Sequence, residues 1–501
     1  MITHIGDVVS ADVPETARVV IIGAGFAGIG VAVRLKQAGI EDFVLLEREL
    51  DPGGTWRDNT YPGVACDIPS MLYSFSFAPN PRWSHGYSDG GEILAYLREV
   101  IREYDLVDRI RYGRNVVGLD FDEGAGVWRV RAVIDGGEEV LEARSVVMAT
   151  GPLSTASLPS IDGIEDYRGH TVHSAHWNPD LDVTGMAVAV IGTGASAVQI
   201  VPELVKRADR VAVFQRTPGW VLPRPQYRVP DWARVMYQRL PLTEDLARTA
   251  LFWAHEAMGL GVVWPTQLTT LLELAARLQL RIQVDDKWTR RQLTPDYRAG
   301  CKRLLVSNTY LPALSSDKCK LYTFPIVRLT ERGIQTVEGV EHRFDAIVFA
   351  TGFEVIGKTG TPFPVRGRGG RLLGDEWAER AYAYKSVHVS GYPNLHFTFG
   401  PNSGPGHNSA LIYLEAQIDY IVESMKMIER WGLRYLDVRE IAQDRFNADL
   451  QRRLSRTTWN SGCASWYLTA EGFNPTMFPG LARQFRNQME EVVLSDYHAV
   501  A

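Results

Sequence analysis

Residues 18–47 read RVVIIGAGFAGIGVAVRLKQAGIEDFVLLE: a strand, a glycine turn, a helix and a second strand. The apolar run Val19–Ile22 lacks polar alternation, as expected of a parallel strand buried on both faces. Gly23, Gly25 and Gly28 follow as GxGxxG. The first glycine permits the tight turn, the second lets a pyrophosphate approach the backbone, and the third lets helix and strand pack closely. The helix N-terminus then presents unpaired N–H groups to the phosphates. Ile29, Val33 and Leu35 give the helix an apolar side, and Val44–Leu46 forms the second strand. Glu47 ends that strand 24 residues after Gly23. A carboxylate there accepts hydrogen bonds from both ribose hydroxyls.

Residues 186–216, MAVAVIGTGASAVQIVPELVKRADRVAVFQR, repeat the plan, with Gly192, Gly194 and Ala197 in the three turn positions. The residue 24 positions after Gly192 is Arg216. The charge at the equivalent place has changed sign. An acid suits a free 2′-hydroxyl, and a base suits a 2′-phosphate, which Arg grips bidentately. The first module should hold FAD or NAD and the second NADP, with Thr217 as an added hydroxyl donor. Two such sites in one chain imply hydride transfer from NADPH to a flavin, so the expected cofactors are FAD and NADPH.

SVVMATG at 145–151 and DAIVFATG at 345–352 read as buried strands ending in the same tripeptide, the two crossings between domains. The expected fold class is α/β: two Rossmann-like dinucleotide-binding domains, the NADP domain inserted in the FAD domain, with a helical insertion. The expected division is 1–152 for the first part of the FAD domain, 153–350 for the NADP domain and 351–501 for the second part of the FAD domain. The Trp-, Arg- and Leu-rich segment 221–300, with helical periodicity in LTTLLELAARLQLRI, is the insertion. A strand is expected over Met71–Phe77, where apolar residues alternate, a loop over 361–372 and a helix from Ala410 to Met427.

The chain has 501 residues, a net charge of −6, 45% hydrophobic and 22% charged residues. No long basic run exists to favour a nucleic acid or an anionic membrane, and no apolar run reaches the length of a membrane span. The N-terminal stretch lacks the basic and apolar regions of a secretory signal. Cys66, Cys301, Cys319 and Cys463 are widely separated, with no CxxC or CxxxxC. That spacing predicts four small buried hydrophobes in a reducing cytoplasm, with no disulfide framework and no metal site. It also disfavours the disulfide-reductase flavoproteins.

Gly53-Gly54-Thr55-Trp56-Arg57-Asp58-Asn59-Thr60-Tyr61-Pro62-Gly63-Val64-Ala65-Cys66-Asp67 matches [A/G]GxWxxxx[F/Y]P[G/M]xxxD, a pattern of the type I Baeyer–Villiger monooxygenases. The family's second pattern, FxGxxxHxxxW followed by Pro or Asp, is met by Gly169, His173 and Trp177, while Tyr167 replaces Phe and Asn178 replaces Pro or Asp. Trp177 favours the ketone-oxidising branch over the related N- and S-oxidising enzymes. Gly300-Cys301-Lys302-Arg303 and Ser465-Trp466-Tyr467 are further matches. The chain thus resembles this family over nearly its whole length.

The resemblance implies that Lys302 joins Arg216 on the 2′-phosphate. Trp466 would contact the nicotinamide nucleotide, with Trp459 a weaker candidate, and Tyr73 would lie near the flavin. The implied cofactor-binding set is Gly23, Gly25, Phe26, Gly28, Glu47, Arg48, Gly54, Thr55, Trp56, Asp67, Tyr73 and Val116 for FAD. For NADPH it is Thr193, Gly194, Ser196, Gln199, Arg216, Thr217, Lys302 and Trp466. Arg303 would be the catalytic arginine, positioned by Asp67. The implied reaction uses NADPH and O2 to insert one oxygen atom beside a ketone carbonyl, giving an ester or lactone by way of an anionic C4a-peroxyflavin that a permanently charged guanidinium stabilises. Oxygenation of sulfur or nitrogen is the alternative, and an NADPH oxidase or redox-sensing flavoprotein a more distant one. His173, in the linker before the second module, reads as structural, and so do His388, His396 and His407.

Overall fold

The computed structural model describes residues 15–354, 361–463, 465–469 and 471–501. Strand Glu15–Ile22 pairs in parallel with Phe43–Leu46 on one side and with Gly137–Met148 on the other. Ile110–Arg111 continues the sheet beyond Phe43–Leu46, and Leu395–Phe397 pairs with the end of Gly137–Met148. The long strand Gly137–Met148 serves two purposes. Its last residues complete the parallel sheet, and its first residues pair antiparallel with Val127–Ile134, which pairs in turn with Asn115–Asp122.

Helix Phe26–Gln37 follows the first glycine turn, and every residue from Phe26 to Val33 is buried. The one-sided apolar stripe expected from Ile29, Val33 and Leu35 is therefore too narrow. The far side packs under helix Ala410–Arg430. A Cβ on Gly30 would stand 2.8 Å from Ile418 Cδ1 and 2.9 Å from Phe75 Cε1, so the close approach requires glycine.

The second module builds its own sheet of five parallel strands, ordered Cys319–Tyr322, Arg210–Phe214, Ala187–Ile191, Ala346–Phe349 and His170–His173. Helix Ala195–Arg207 follows its glycine turn. Val221–Leu222 pairs with Leu305–Val306 and closes off the segment between them. That segment holds helices Asp231–Arg239, Pro241–Val263, Gln267–Gln283 and Lys287–Gln292. Glu256, on the second of these, is buried. It accepts hydrogen bonds from His407 Nε2 (2.9 Å), Asn408 Nδ2 (3.1 Å) and the backbone N–H groups of Ala482 (3.1 Å) and Arg483 (3.1 Å). One carboxylate thus anchors the insertion to the C-terminal part of the chain.

Three expectations need correction. Met71–Phe77 is a series of turns, not a strand. Leu72, Ser74 and Phe75 are buried while Ser76 faces out, so burial does not follow the two-residue period of the sequence. Within 361–372, Val365–Arg366 forms a short strand against Leu119–Asp120. Cys301 and Cys463 are joined in a disulfide, 162 residues apart, while Cys66 and Cys319 are free. Sequence spacing counts only local pairs, whereas a disulfide is decided by proximity in the fold. The expectation about a secretory signal falls largely on residues 1–14, outside the described residues. Among the described residues no helix is long and apolar enough to cross a membrane.

Candidate active site

Gly23 adopts φ +109°, and a Cβ there would stand 2.6 Å from the Ala149 carbonyl oxygen, at the first crossing. A Cβ on Gly28 would overlap the Gly23 carbonyl oxygen. Gly25 faces Gly54, and a Cβ on either would meet only the other's backbone, at 3.7 and 3.3 Å. The two motifs bring bare backbone against bare backbone, and with no side chain on either glycine a pyrophosphate can approach their N–H groups closely. Buried Glu47 closes the far end. Its Oε2 accepts from Ala24 N (2.8 Å), and its Oε1 from Glu49 N (3.1 Å) and Arg57 Nη1 (3.1 Å). Arg114 N donates to the Glu47 carbonyl (2.9 Å), bringing the strand that carries buried Val116 alongside. Arg48 is exposed, with a loose ion pair to Glu49 at 3.5 Å. Thr55 and Trp56 open a short helix behind Gly54. Trp56 Nε1 donates to the Tyr73 hydroxyl (3.1 Å), and the Tyr73 ring meets Phe26 edge-on at 5.3 Å. The bare glycine backbone, the buried acid and this aromatic wall fit FAD.

In the second module Gly192 adopts φ +119° beneath the Ala350 carbonyl, at the second crossing. Gly194 has nothing within 4 Å of a Cβ. Thr193 Oγ1 donates to the Thr217 carbonyl (3.0 Å), fixing the turn beside exposed Arg216. Burial, and after it the nearby charge of Arg216, hold the Lys302 ammonium below its ordinary pKa. Two cations set close together are the arrangement expected of a phosphate site, and they fit the 2′-phosphate of NADPH.

Ser196 lies beside the Tyr61 hydroxyl. Gln199 points to the first module rather than to its own turn. Its Nε2 donates to Ala65 O (2.9 Å), and its Oε1 accepts from Tyr61 OH (3.0 Å) and Ala65 N (3.3 Å). A helix of the second module therefore grips the loop leading to Asp67.

Asp67 and Arg303, 236 residues apart, form a bidentate pair. Nε donates to Oδ2 (2.9 Å), and Nη2 lies 2.8 Å from Oδ1 and 2.7 Å from Oδ2. The Asp67 carboxylate raises the Arg303 pKa, outweighing the opposing effect of burial. The guanidinium sits deep among protein groups yet keeps 41% of its side-chain surface open, so it faces a cleft. Cys66 N donates to Ser88 O (3.0 Å), and Arg224 Nη2 donates to Cys66 O (2.9 Å), holding the peptide before Asp67. Arg224 was not legible as a site residue, because a single arginine between two prolines carries no pattern.

Tyr467 is buried, and burial pushes its hydroxyl pKa up to about 12 against the pull of Arg303. Trp466 lies against it with ring centroids 4.4 Å apart and is 43% exposed. Trp459, by contrast, is a core residue packed against Gly406, which removes it as a nucleotide contact. His173 is buried at the end of its strand, where Nδ1 accepts from Ala175 N (3.0 Å) and Nε2 lies 3.4 Å from Thr351 Oγ1 of the second crossing. His388 and His396 are buried and bonded to one another (2.7 Å).

The geometry defines a class: a flavoprotein with a second, phosphate-selecting dinucleotide module and one arginine–aspartate pair spanning the two. A family model described as pyridine nucleotide-disulphide oxidoreductase matches residues 20–246, which include both glycine turns. A Baeyer–Villiger monooxygenase of Pseudomonas aeruginosa is 40% identical, covering 97% of this chain and 92% of that protein. A Baeyer–Villiger monooxygenase of Streptomyces coelicolor is also 40% identical, covering 97% and 93%. The crystal structure of cyclohexanone monooxygenase from Rhodococcus sp. Phi1 bound to NADP+ superposes with a TM-score of 0.86 at 26% identity, covering 98% of this chain and all of that one. The chain belongs to the Baeyer–Villiger monooxygenase family, flavin- and NADPH-dependent oxidoreductases.

Proposed function

We propose that Arg303 and Asp67 are the catalytic pair of an enzyme that converts a ketone to an ester or lactone. The reading rests on one observation: the bidentate pair joins a residue of the FAD-side motif to a residue next to the phosphate-site lysine. When bound and reduced by NADPH, the flavin supplies the activated oxygen taken from O2. The chain's own residues do the rest. The bare backbone at Gly25 and Gly54 and the carboxylate of Glu47 hold the dinucleotide, and Arg216 and Lys302 select the phosphorylated coenzyme. The guanidinium of Arg303 stabilises the negative charge that develops on the carbonyl oxygen of the ketone as its carbon is attacked. Asp67 holds the arginine fork in place, so little reorganisation is needed at the moment of reaction. The nested division at residues 152 and 350, a ketone as the substrate and a cytoplasmic setting belong to the same reading.

The test is product analysis over cyclic, linear and aromatic ketones and one sulfide. Arg303→Ala is expected to lower ester formation by roughly 100-fold or more while NADPH still reduces the flavin. Ester formation near the wild-type rate would remove Arg303 from the role. Sulfide oxidation without any ester would move the reading to heteroatom oxygenation.

A further inference from the structure

The Cys301–Cys463 bridge joins two segments of the proposed site. Cys301 is fully buried and lies two residues before Arg303 and one before Lys302. Cys463 lies three residues before Trp466 and four before Tyr467. Across the bridge the Cα atoms are 6.3 Å apart. A fully extended chain rises at most about 3.6 Å per residue, so Trp466 Cα stays within about 11 Å of Cys463 Cα. With the bridge closed, Trp466 and Tyr467 are leashed to the segment carrying Arg303.

Other contacts converge on the same place. Gly300 adopts φ +95°, and a Cβ there would stand 2.6 Å from Val262 O and 2.8 Å from Thr458 Oγ1. The Thr458 hydroxyl donates to the Val262 carbonyl, at the end of helix Pro241–Val263. Tyr467 packs with Val263, Leu454 and Met477. The six residues from Thr458 to Cys463 are therefore pinned at one end by a hydrogen bond and at the other by a covalent one. Opening the covalent end leaves half-exposed Trp466 held by its buried neighbour Tyr467 on one side and, on the other, only as far back as Asn460, whose Oδ1 accepts from Asn474 Nδ2 (3.1 Å).

We infer that Cys301–Cys463 is a thiol–disulfide modification site that positions the Trp466–Tyr467 segment against the Arg303–Asp67 pair and keeps NADPH oxidation coupled to oxygen insertion. The inference rests on the roles given to these residues under the proposed function. Reduction by a small dithiol breaks the S–S bond and forms two S–H groups. The dithiol gives up two electrons and two protons and closes to its own disulfide. Hydrogen peroxide, the product of NADPH oxidation that does not end in oxygen insertion, reverses the change. The two thiols lose two protons and two electrons, the S–S bond forms, and the O–O bond breaks to give two waters. Uncoupled turnover thus produces the oxidant that restores the bridge.

The experiment uses the FAD-loaded enzyme purified without reductant. Denatured, it is expected to show two free thiols, Cys66 and Cys319, and four after dithiothreitol. Hydrogen exchange of the peptide holding Trp466 and Tyr467 is expected to quicken by about tenfold on reduction, because a covalent restraint on local opening is lost. In the same step peroxide released per NADPH consumed is expected to rise by roughly threefold or more, since small misplacements near the chemistry are costly. Stoichiometric peroxide then restores the oxidised values. Cys463→Ser is expected to show the reduced behaviour throughout, with no response to dithiothreitol or peroxide. Four free thiols before reduction, exchange that ignores reduction, or a peroxide ratio equal in the two forms would each overturn the proposal. Should no ketone give ester in any form, the functional reading fails, and the thiol count and exchange still decide whether the bridge holds the segment.

Discussion

The two glycine turns share a plan and differ in what surrounds them. In the first, the space behind Gly23 and Gly28 is filled by backbone, and the strand-end residue, Glu47, is buried with three hydrogen-bond donors on its carboxylate. In the second, Gly192 meets the Ala350 carbonyl as Gly23 meets that of Ala149, but Ala197 stands in the place of Gly28, Gly194 has open space, and the strand-end residue, Arg216, is exposed near another cation. The acid-ended site satisfies its carboxylate within the chain, whereas the base-ended site sets two cations close together with Asp296 as a nearby acid. The difference suits a cofactor that stays and a coenzyme that comes and goes.

The largest effect should come from glycine substitutions that test this contrast directly. Gly28→Ala forces a methyl onto the Gly23 carbonyl and is expected to cost about 3 kcal/mol or more, with loss of bound FAD. Ala197→Gly, at the same place in the second turn, should cost only about 1 kcal/mol and leave flavin content close to wild type. Equal losses in the two variants, measured by thermal melting and flavin absorbance, would erase the distinction.

Next comes the charge. Arg216→Ala removes a charge-assisted contact of about 1.5–3 kcal/mol, which is roughly a 10- to 100-fold rise in KM for NADPH with little change for NADH. An unchanged ratio of the two coenzymes would deny Arg216 its selecting role. Gln199→Ala is smaller: loss of three hydrogen bonds to the Tyr61–Ala65 loop should lower stability by about 1–2 kcal/mol. It should also lower kcat for ester formation more than it raises KM for NADPH. The reverse split would assign Gln199 to the coenzyme.

The smallest effect lies in the insertion, which has no counterpart in the first module. Burial raises the pKa of Glu244 to about 6. A carboxyl whose pKa is raised on folding supports the folded state at low pH, and that support is lost as pH rises through about 6. Glu244→Gln is therefore expected to stabilise the protein by about 1 kcal/mol at pH 8 and to do nothing at pH 4, read as melting temperature against pH.

The parallel strands and glycine turns were legible because they are written in contiguous residues: VVII before Gly23, AVAVI before Gly192, and an ending residue of either charge. The motif around Asp67 and the short run before Arg303 were legible only by family resemblance, since nothing local says that residues 236 positions apart will pair. Glu256 was not legible. On a long helix it reads as a solvated charge, and its four donors come from two distant stretches of chain. The Cys301–Cys463 bridge was not legible for the same reason, and Met71–Phe77 alternates in sequence while its buried residues, Leu72, Ser74 and Phe75, do not.

The grip of Gln199 on the loop before Asp67 has a mechanical consequence. A shear of the second module along the first would break three hydrogen bonds at one point, whereas a rotation about that point would spare them. The pivot lies within a few residues of the carboxylate that holds Arg303. Arg224 Nη2 to Cys66 O (2.9 Å), Gly86 N to Tyr227 O (2.9 Å) and Val229 N to Ser84 O (2.9 Å) cross between the modules on the same side, so a movement that keeps these contacts leaves the Arg303–Asp67 pair nearly in place.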